Sequence, residues 1–151
     1  MKGANMTVSI GFKPDISTKP QLFPFYNKPT STFSYIVQDP CSKSCAIIDS
    51  VLDIDYPSGT LNYDDADEII AKIKKLGLIV EWIIETHVHA DHISAAPYIQ
   101  DKVGGKYGIG EKITEVQAVF GDIFNAGVEF SVMDRNLTIY SVRAKAIKFA
   151  K

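Results

Sequence analysis

Residues 78–92, "LIVEWIIETHVHADH", constrain this chain more than any other stretch. A short, nearly continuous apolar run passes directly into a segment that carries all three of the chain's histidines, His87, His89 and His92. Such a run predicts a buried strand, parallel to an earlier one. The residues that follow, "SAAPYIQDKVGG", predict a helix that tolerates Pro97 in its first turn and stops at Gly104 and Gly105. The histidines therefore lie where a buried strand hands over to a helix. In open α/β sheets that edge is the usual place for ligands.

The rest of the chain fits the same layered scheme. "STFSYIVQ" (31–38) alternates apolar and polar residues and predicts a strand. "DPCSKS" has turn chemistry, and "CAIIDSVLD" (45–53) predicts a second strand that closes a hairpin. "DYPSGTLN" reads as a loop. "YDDADEIIAKIKKLG" sets Ala66, Ile69, Ile70, Ile73 and Leu76 on one helical face, with acids at its start, lysines at its end and Gly77 as its stop. The "KIKK" run belongs to the solvated side of that helix. "KYGIG" predicts a short strand, with Gly108 and Gly110 serving turns, and "EKITEVQAVFGDIF" a further helix. The order β-β-α-β-α-β-α is that of an α/β layer protein.

Composition narrows the function classes. The chain has 151 residues, 46% apolar and 23% charged, with net charge −2. That length suits one domain with a modest core. Without a basic surplus to neutralise phosphates, a nucleic-acid partner is not expected. No apolar run is long enough to span a bilayer. Residues 1–24 hold scattered Lys and Pro and no continuous apolar segment, so they read as a loosely packed lead-in, not a secretory signal. The expected location is cytoplasmic. Cys41 and Cys45 flank the hairpin turn, Cys45 facing the core and Cys41 the turn. Trp82 and Tyr35 are expected in the core, not against a substrate.

The histidine segment carries the chemistry. His87 and His89 are two apart, so in an extended segment they point the same way. Asp91 and His92 sit at the turn towards the helix and reach a different point. Two histidines can then grip one metal, while the aspartate and third histidine hold a neighbouring metal or support the first. Asp91 can also act as a helix N-cap. Imidazole and carboxylate suit zinc, iron or manganese, which lower the pKa of bound water and polarise an electrophile. Asp49, at the end of a predicted strand, is a candidate to hydrogen-bond a ligand from behind, or else caps a turn.

"THVHADH" resembles the signature of the metallo-β-lactamase superfamily. "AIIDSVLD", "SGTLN", "VEWIIETHVHADHISAAPYI" and "VQAVFGDIFN" are similar to its persulfide dioxygenase (sulfur dioxygenase) branch, next to the glyoxalase II hydrolases. The resemblance runs from about Phe25 to about Ser131. It implies the N-terminal half of an αββα sandwich with metal at one end of the sheets. In the hydrolase branch His87 and His89 would bind a first zinc, and Asp91 and His92 a second. In the dioxygenase branch one iron(II) would use His87 with a later His and a later Asp. That is a two-histidine, one-carboxylate triad with open positions for oxygen and glutathione persulfide, giving sulfite and glutathione.

The later ligands of that resemblance have no counterpart here. There is no histidine after His92, and neither Asp122 nor Asp134 lies in the required "G-D-T"-like segment. The tail 132–151 does not resemble the branch. One permitted back-translation of residues 133–145, read two bases on, gives GSQFDHLFCEGE, which is similar to the branch's next segment. The tail is thus a candidate out-of-frame reading, which gene sequencing tests. The expectation is a truncated chain, inactive alone, that at most binds metal or a partner. The open face of its sheet would invite self-association.

Overall fold

The computed structural model describes residues 18–125 and the strand at 137–140. The elements run β1 (Gln21–Asn27), β2 (Thr32–Gln38), β3 (Ser44–Ile48), β4 (Val51–Asp55), β5 (Thr60–Asn62), α1 (Asp64–Leu76), β6 (Ile79–Glu85), β7 (Ile93–Ser94), α2 (Ala96–Val103), β8 (Lys106–Gly110), α3 (Ile113–Ile123) and β9 (Leu137–Tyr140). A six-stranded sheet has the order β1-β2-β3-β6-β8-β9, and a three-stranded sheet the order β5-β4-β7. Strands β1 to β3 are antiparallel, whereas β6, β8 and β9 join in parallel, as helical connections require. The fold is mixed α/β, a partial αββα arrangement. Among the described residues no helix is long and apolar enough to cross a membrane.

Strand β6 lies between β3 and β8, and its apolar run explains why it is central. The pairing with β3 slips between Cys45 and Ala46, so Glu81 is an extra residue in β6. That slip lets Val80 and Ile83, three apart, both be buried. They meet Ile36, Cys45 and Ile47 of the sheet, Ile69, Ile70 and Ile73 of α1, and Ala96 and Ile99 of α2 in one core. Glu85, two residues past Ile83, is carried to the same buried side. Helix α1 ends at Gly77, whose left-handed φ of 62° lets its N–H reach back to the last turn. Gly105 is needed for closeness: a Cβ there would stand 2.9 Å from Val80 Cγ1, at a φ of +95°.

The sheet's other face carries exposed apolar side chains along β1 and β2. Leu22, Tyr26 and Phe33 are 56%, 53% and 47% exposed. Tyr26 opposes Phe33, Tyr35 opposes Ile48 and Ile48 opposes Ile84, so these side chains share one face. Tyr35 and Trp82, expected in the core, are only half-buried. Tyr35 stacks on Phe33 at 6.1 Å, and the Lys106 ammonium lies 5.0 Å from the Trp82 ring centre. Val119, Phe120 and Ile123 on α3, and Phe124 just after it, are exposed as well.

Several sequence expectations are refined. Strand β1 begins at Gln21, inside the segment read as a lead-in; residues 1–17 lie outside the described set. As the edge strand it tolerates Pro24. The single strand expected over 45–53 is two strands in different sheets, because the chain turns at Asp49, which has a φ of 50°. Strands β5 and β7 are three and two residues long, too short to carry a pattern. Leu137–Tyr140, within the segment read as an atypical tail, pairs in parallel with β8. Cys45 faces the core and Cys41 is exposed, as expected, and both are free thiols.

Two outcomes follow from this packing. Ile83→Ala, at a fully buried site, should cost about 2–5 kcal/mol in a denaturant titration. Burial, reinforced by the charge of Glu81, pushes the Cys45 thiol up to about 11. A thiol reagent at pH 8 should therefore label Cys41 alone in the native chain and both cysteines once it is unfolded.

Candidate metal centre

The site is a loop at the end of β6, tied to the end of β3. Asp49 leaves the sheet there: its N–H donates to Ile84 O at 2.9 Å, and its own carbonyl accepts from Ser34 Oγ at 2.7 Å. Its carboxylate takes the Thr86 N–H on Oδ1 and the Thr86 hydroxyl on Oδ2, each at 2.7 Å. Oδ1 also stands 3.0 Å from His89 Nε2. Asp49 thus holds the first residue after β6 and the back of a histidine ring. It shapes the turn and contacts one of the candidate ligand rings.

The three imidazoles converge. The ring centres of His87 and His89 are 4.1 Å apart, and those of His89 and His92 are 4.2 Å apart. Two donor groups result: Asp49, His87 and His89, and His89, Asp91 and His92. Within each, one donor atom per residue lies within 4.8 Å of the others. His89 belongs to both. Asp91 and His87 are exposed and His92 is buried. Asp91 is not a helix cap, because β7 intervenes and α2 begins only at Ala96. Asp122 lies on α3, apart from both donor groups, and Asp134 is outside the described residues.

Hydrogen bonding orients the first ring. The Asp49 carboxylate can only accept, so the Thr86 hydroxyl donates to it. Thr86 Oγ1 is also 2.8 Å from His87 Nδ1, and its one hydrogen is committed, so Nδ1–H donates to Oγ1. His87 Nε2 is left with its lone pair facing outward, the form a metal ligand needs.

The residues fit a cation. Both nitrogens of buried His92 lack an aligned hydrogen-bond partner, although Nδ1 lies 3.3 Å from Asp91 Oδ2. Burial pushes the His92 pKa down, so the ring is neutral at pH 7. A buried neutral imidazole without partners is costly unless something accepts its lone pair. Three carboxylates crowd the same space: Asp49, Asp91 and Glu85, whose Oε2 is 3.2 Å from His89 Nε2. Burial pushes Glu85 up to about 7, against the hydrogen bond from Ser94 and the nearby His89, which pull it down. Glu85, Thr86 and Ser94 were not singled out from the sequence. The available signal was an acid that interrupts an apolar strand next to histidines.

A mixed sheet backed by helices, with clustered His and Asp donors at its strand ends, defines an α/β protein with a candidate metal centre. The family described as the metallo-beta-lactamase superfamily matches residues 27–143, and the chain belongs to it. Members of that superfamily bind metal ions. A probable metallo-hydrolase of Burkholderia pseudomallei (strain 1710b) is 51% identical over 107 residues, covering 71% of this chain and 36% of that protein. Glyoxylase B2 of Dictyostelium discoideum is 36% identical over 143 residues, covering 87% of this chain and 49% of that one. The crystal structure of ETHE1 from Myxococcus xanthus aligns with a TM-score of 0.48 at 23% identity, over 58% of this chain and 34% of that one. The chain therefore spans between a third and a half of the curated relatives named here.

Asp49→Ala leaves both Thr86 donors without their acceptor and puts alanine at a left-handed φ. It should destabilise the metal-free chain by about 2 kcal/mol or more in a urea titration. Asp49→Asn, which keeps an acceptor and tolerates that φ, should cost less.

Proposed function

We propose that this chain carries a divalent-metal centre built on His87, His89, Asp91 and His92, with Asp49 supporting it. The observation that carries this reading is the pair of donor groups sharing His89, next to a buried His92 whose nitrogens lack partners. When bound, the metal supplies Lewis acidity and, as iron(II), redox chemistry as well. The chain's own part is to present neutral imidazoles at fixed positions and to surround the cation with carboxylates.

The activity favoured is that of a persulfide dioxygenase: a glutathione-derived persulfide as substrate, iron(II) as metal, sulfite and glutathione as products. Its support is the resemblance of "ETHVHADHISAAP" to that branch. A second reading, a zinc-dependent hydrolase of glutathione thioesters, is favoured by relatives named as a metallo-hydrolase and a glyoxylase. On either reading the 151 residues hold no histidine beyond His92 to complete the ligand set, so this polypeptide is proposed to bind metal with little or no turnover by itself. Two free thiols support a reducing, cytoplasmic setting. The uncovered face with Leu22, Tyr26 and Phe33 supports self-association.

Purified chain should take up cobalt(II) or zinc(II) in a competition titration against a chromophoric chelator. His89→Ala should abolish binding, because both groups lose a donor, whereas His87→Ala and His92→Ala should each weaken it. Refusal of every divalent ion defeats the reading. Iron- and zinc-loaded chain should show little oxidation of glutathione persulfide and little thioester hydrolysis. Robust turnover in one assay would select that activity and overturn the expectation of an inactive chain.

A further inference from the structure

We propose that the outer face of the six-stranded sheet is a homodimer interface: a second copy of this chain packs on it face to face, about a twofold axis running along the strands. The inference rests on the self-association proposed above, to which it adds the face and the orientation. It does not depend on a metal.

Alternation along the strands, read through the pairing register, defines the face. Leu22, Pro24 and Tyr26 of β1 stand beside Val37, Tyr35 and Phe33 of β2. Val37 and Tyr35 stand beside Ala46 and Ile48 of β3, and these beside Trp82 and Ile84 of β6. The aromatic side chains form a continuous strip. The ring centres of Tyr26 and Phe33 are 4.9 Å apart, and those of Phe33 and Tyr35 6.1 Å. Among the described residues of these strands and β8, charge enters the face only on its β6–β8 side. It does so at Glu81, the extra residue of β6, which accepts from Ser44 Oγ at 2.6 Å, and at Lys106, which pairs with Trp82. A contiguous apolar surface with charge confined to one side marks a site of protein contact.

Area, twist and charge point to a second copy as the occupant. Strands β1 to β3, β6 and β8 have five to seven residues each. At about 3.3 Å per residue and about 4.8 Å between strands, the six-stranded face spans roughly 24 by 20 Å. Two such faces bury about 1,000 Å² or more in all, which is what a specific interface requires. Sheets pack face to face when their twists match, aligned within about 30°, and an identical copy has an identical twist. Charge selects the axis. An axis across the strands would lay β8 on β8 and set Lys106 against its own mate. An axis along the strands lays β3 on β6 and β2 on β8, because the order β1-β2-β3-β6-β8-β9 reverses about its centre. Lys106 of each copy then meets the aromatic side of the other, where Phe33 and Tyr35 lie, much as it meets the Trp82 ring within its own chain. Such an interface is isologous and closes at two copies.

Sedimentation of the metal-free chain should give a monomer–dimer equilibrium. Trp82 is the chain's single tryptophan and lies on this face, so acrylamide quenching of its fluorescence should fall as the dimer forms. Phe33→Lys puts a charge where the side chain is 47% exposed in the single chain, so the fold should hold while the dimer weakens about 100-fold or more. Phe33→Glu, which faces Lys106 of the other copy, should weaken it at least about threefold less than F33K. Phe120→Lys, on α3, should leave dimer affinity within about twofold of wild type. A monomer at every concentration overturns the self-association reading and this inference together. Association that survives F33K, that F120K disperses or that grows beyond two copies overturns this inference alone. Equal losses in F33K and F33E overturn the axis. If the Phe33 variants do not fold, Trp82 in the wild type decides: quenching unchanged by association puts the contact elsewhere and overturns the inference.

Discussion

The hydrogen bonds from Thr86 to the Asp49 carboxylate are the constraint on which the rest of this structure depends. At Asp49 the chain leaves the larger sheet and enters the smaller one, and within the same few ångströms β6 ends and the histidine loop begins. Two free strand ends would otherwise splay, because each has lost its ladder partners. One carboxylate satisfies the backbone N–H and hydroxyl of the residue after β6. The left-handed turn at Asp49 is tolerated because its surroundings over-determine it, with donors or acceptors engaged on its N–H, its C=O and both carboxylate oxygens. The histidines converge because the loop that bears them starts from a fixed point.

Charge explains why so compact a cluster holds acids and imidazoles together. Glu85 and His92 are buried and Asp49 half-buried, where the charged form of each is disfavoured unless paired. Asp49 Oδ1 and Glu85 Oε2 lie 3.0 and 3.2 Å from His89 Nε2, so acid and imidazole share one small space. The same groups would be a liability in a loop with no such task. The loss of stability from burying them fits a site whose chemistry is worth more than local stability.

The sheet shows the other side of that balance. Its inner face is covered by α1 and α2 and forms the core, while Leu22, Tyr26 and Phe33 stay in contact with water on the outer face. Parallel strands such as β6 and β8 ordinarily need both faces covered. The candidate donors sit at the edge of this sheet, so the exposed face and the site are physically continuous through Ile84, which precedes Glu85 on β6 and pairs with Ile48 just before Asp49.

Elements with a long, uniform pattern were legible in the sequence. The spacing of Ile69, Ile70 and Ile73 placed α1, the alternation in "TFSYIVQ" placed β2, and the apolar run before Thr86 placed β6. The candidate donors could also be picked out, because three histidines and an aspartate within six positions are a local feature. The break at Asp49, the two short strands of the small sheet and the half-exposure of Trp82 and Tyr35 were not, since each depends on a partner distant in sequence. The burial of Glu85 belongs with these. An acid in an apolar run reads as a surface position until the slip in β6 registers it beside Ile83 and a serine nine residues later turns back to meet it. Local composition determined which groups could bind a cation. Pairing across the sheet decided which of them meet, bringing Asp49 within 3.0 Å of His89, because hydrogen-bond partners are chosen by distance in space and not along the chain.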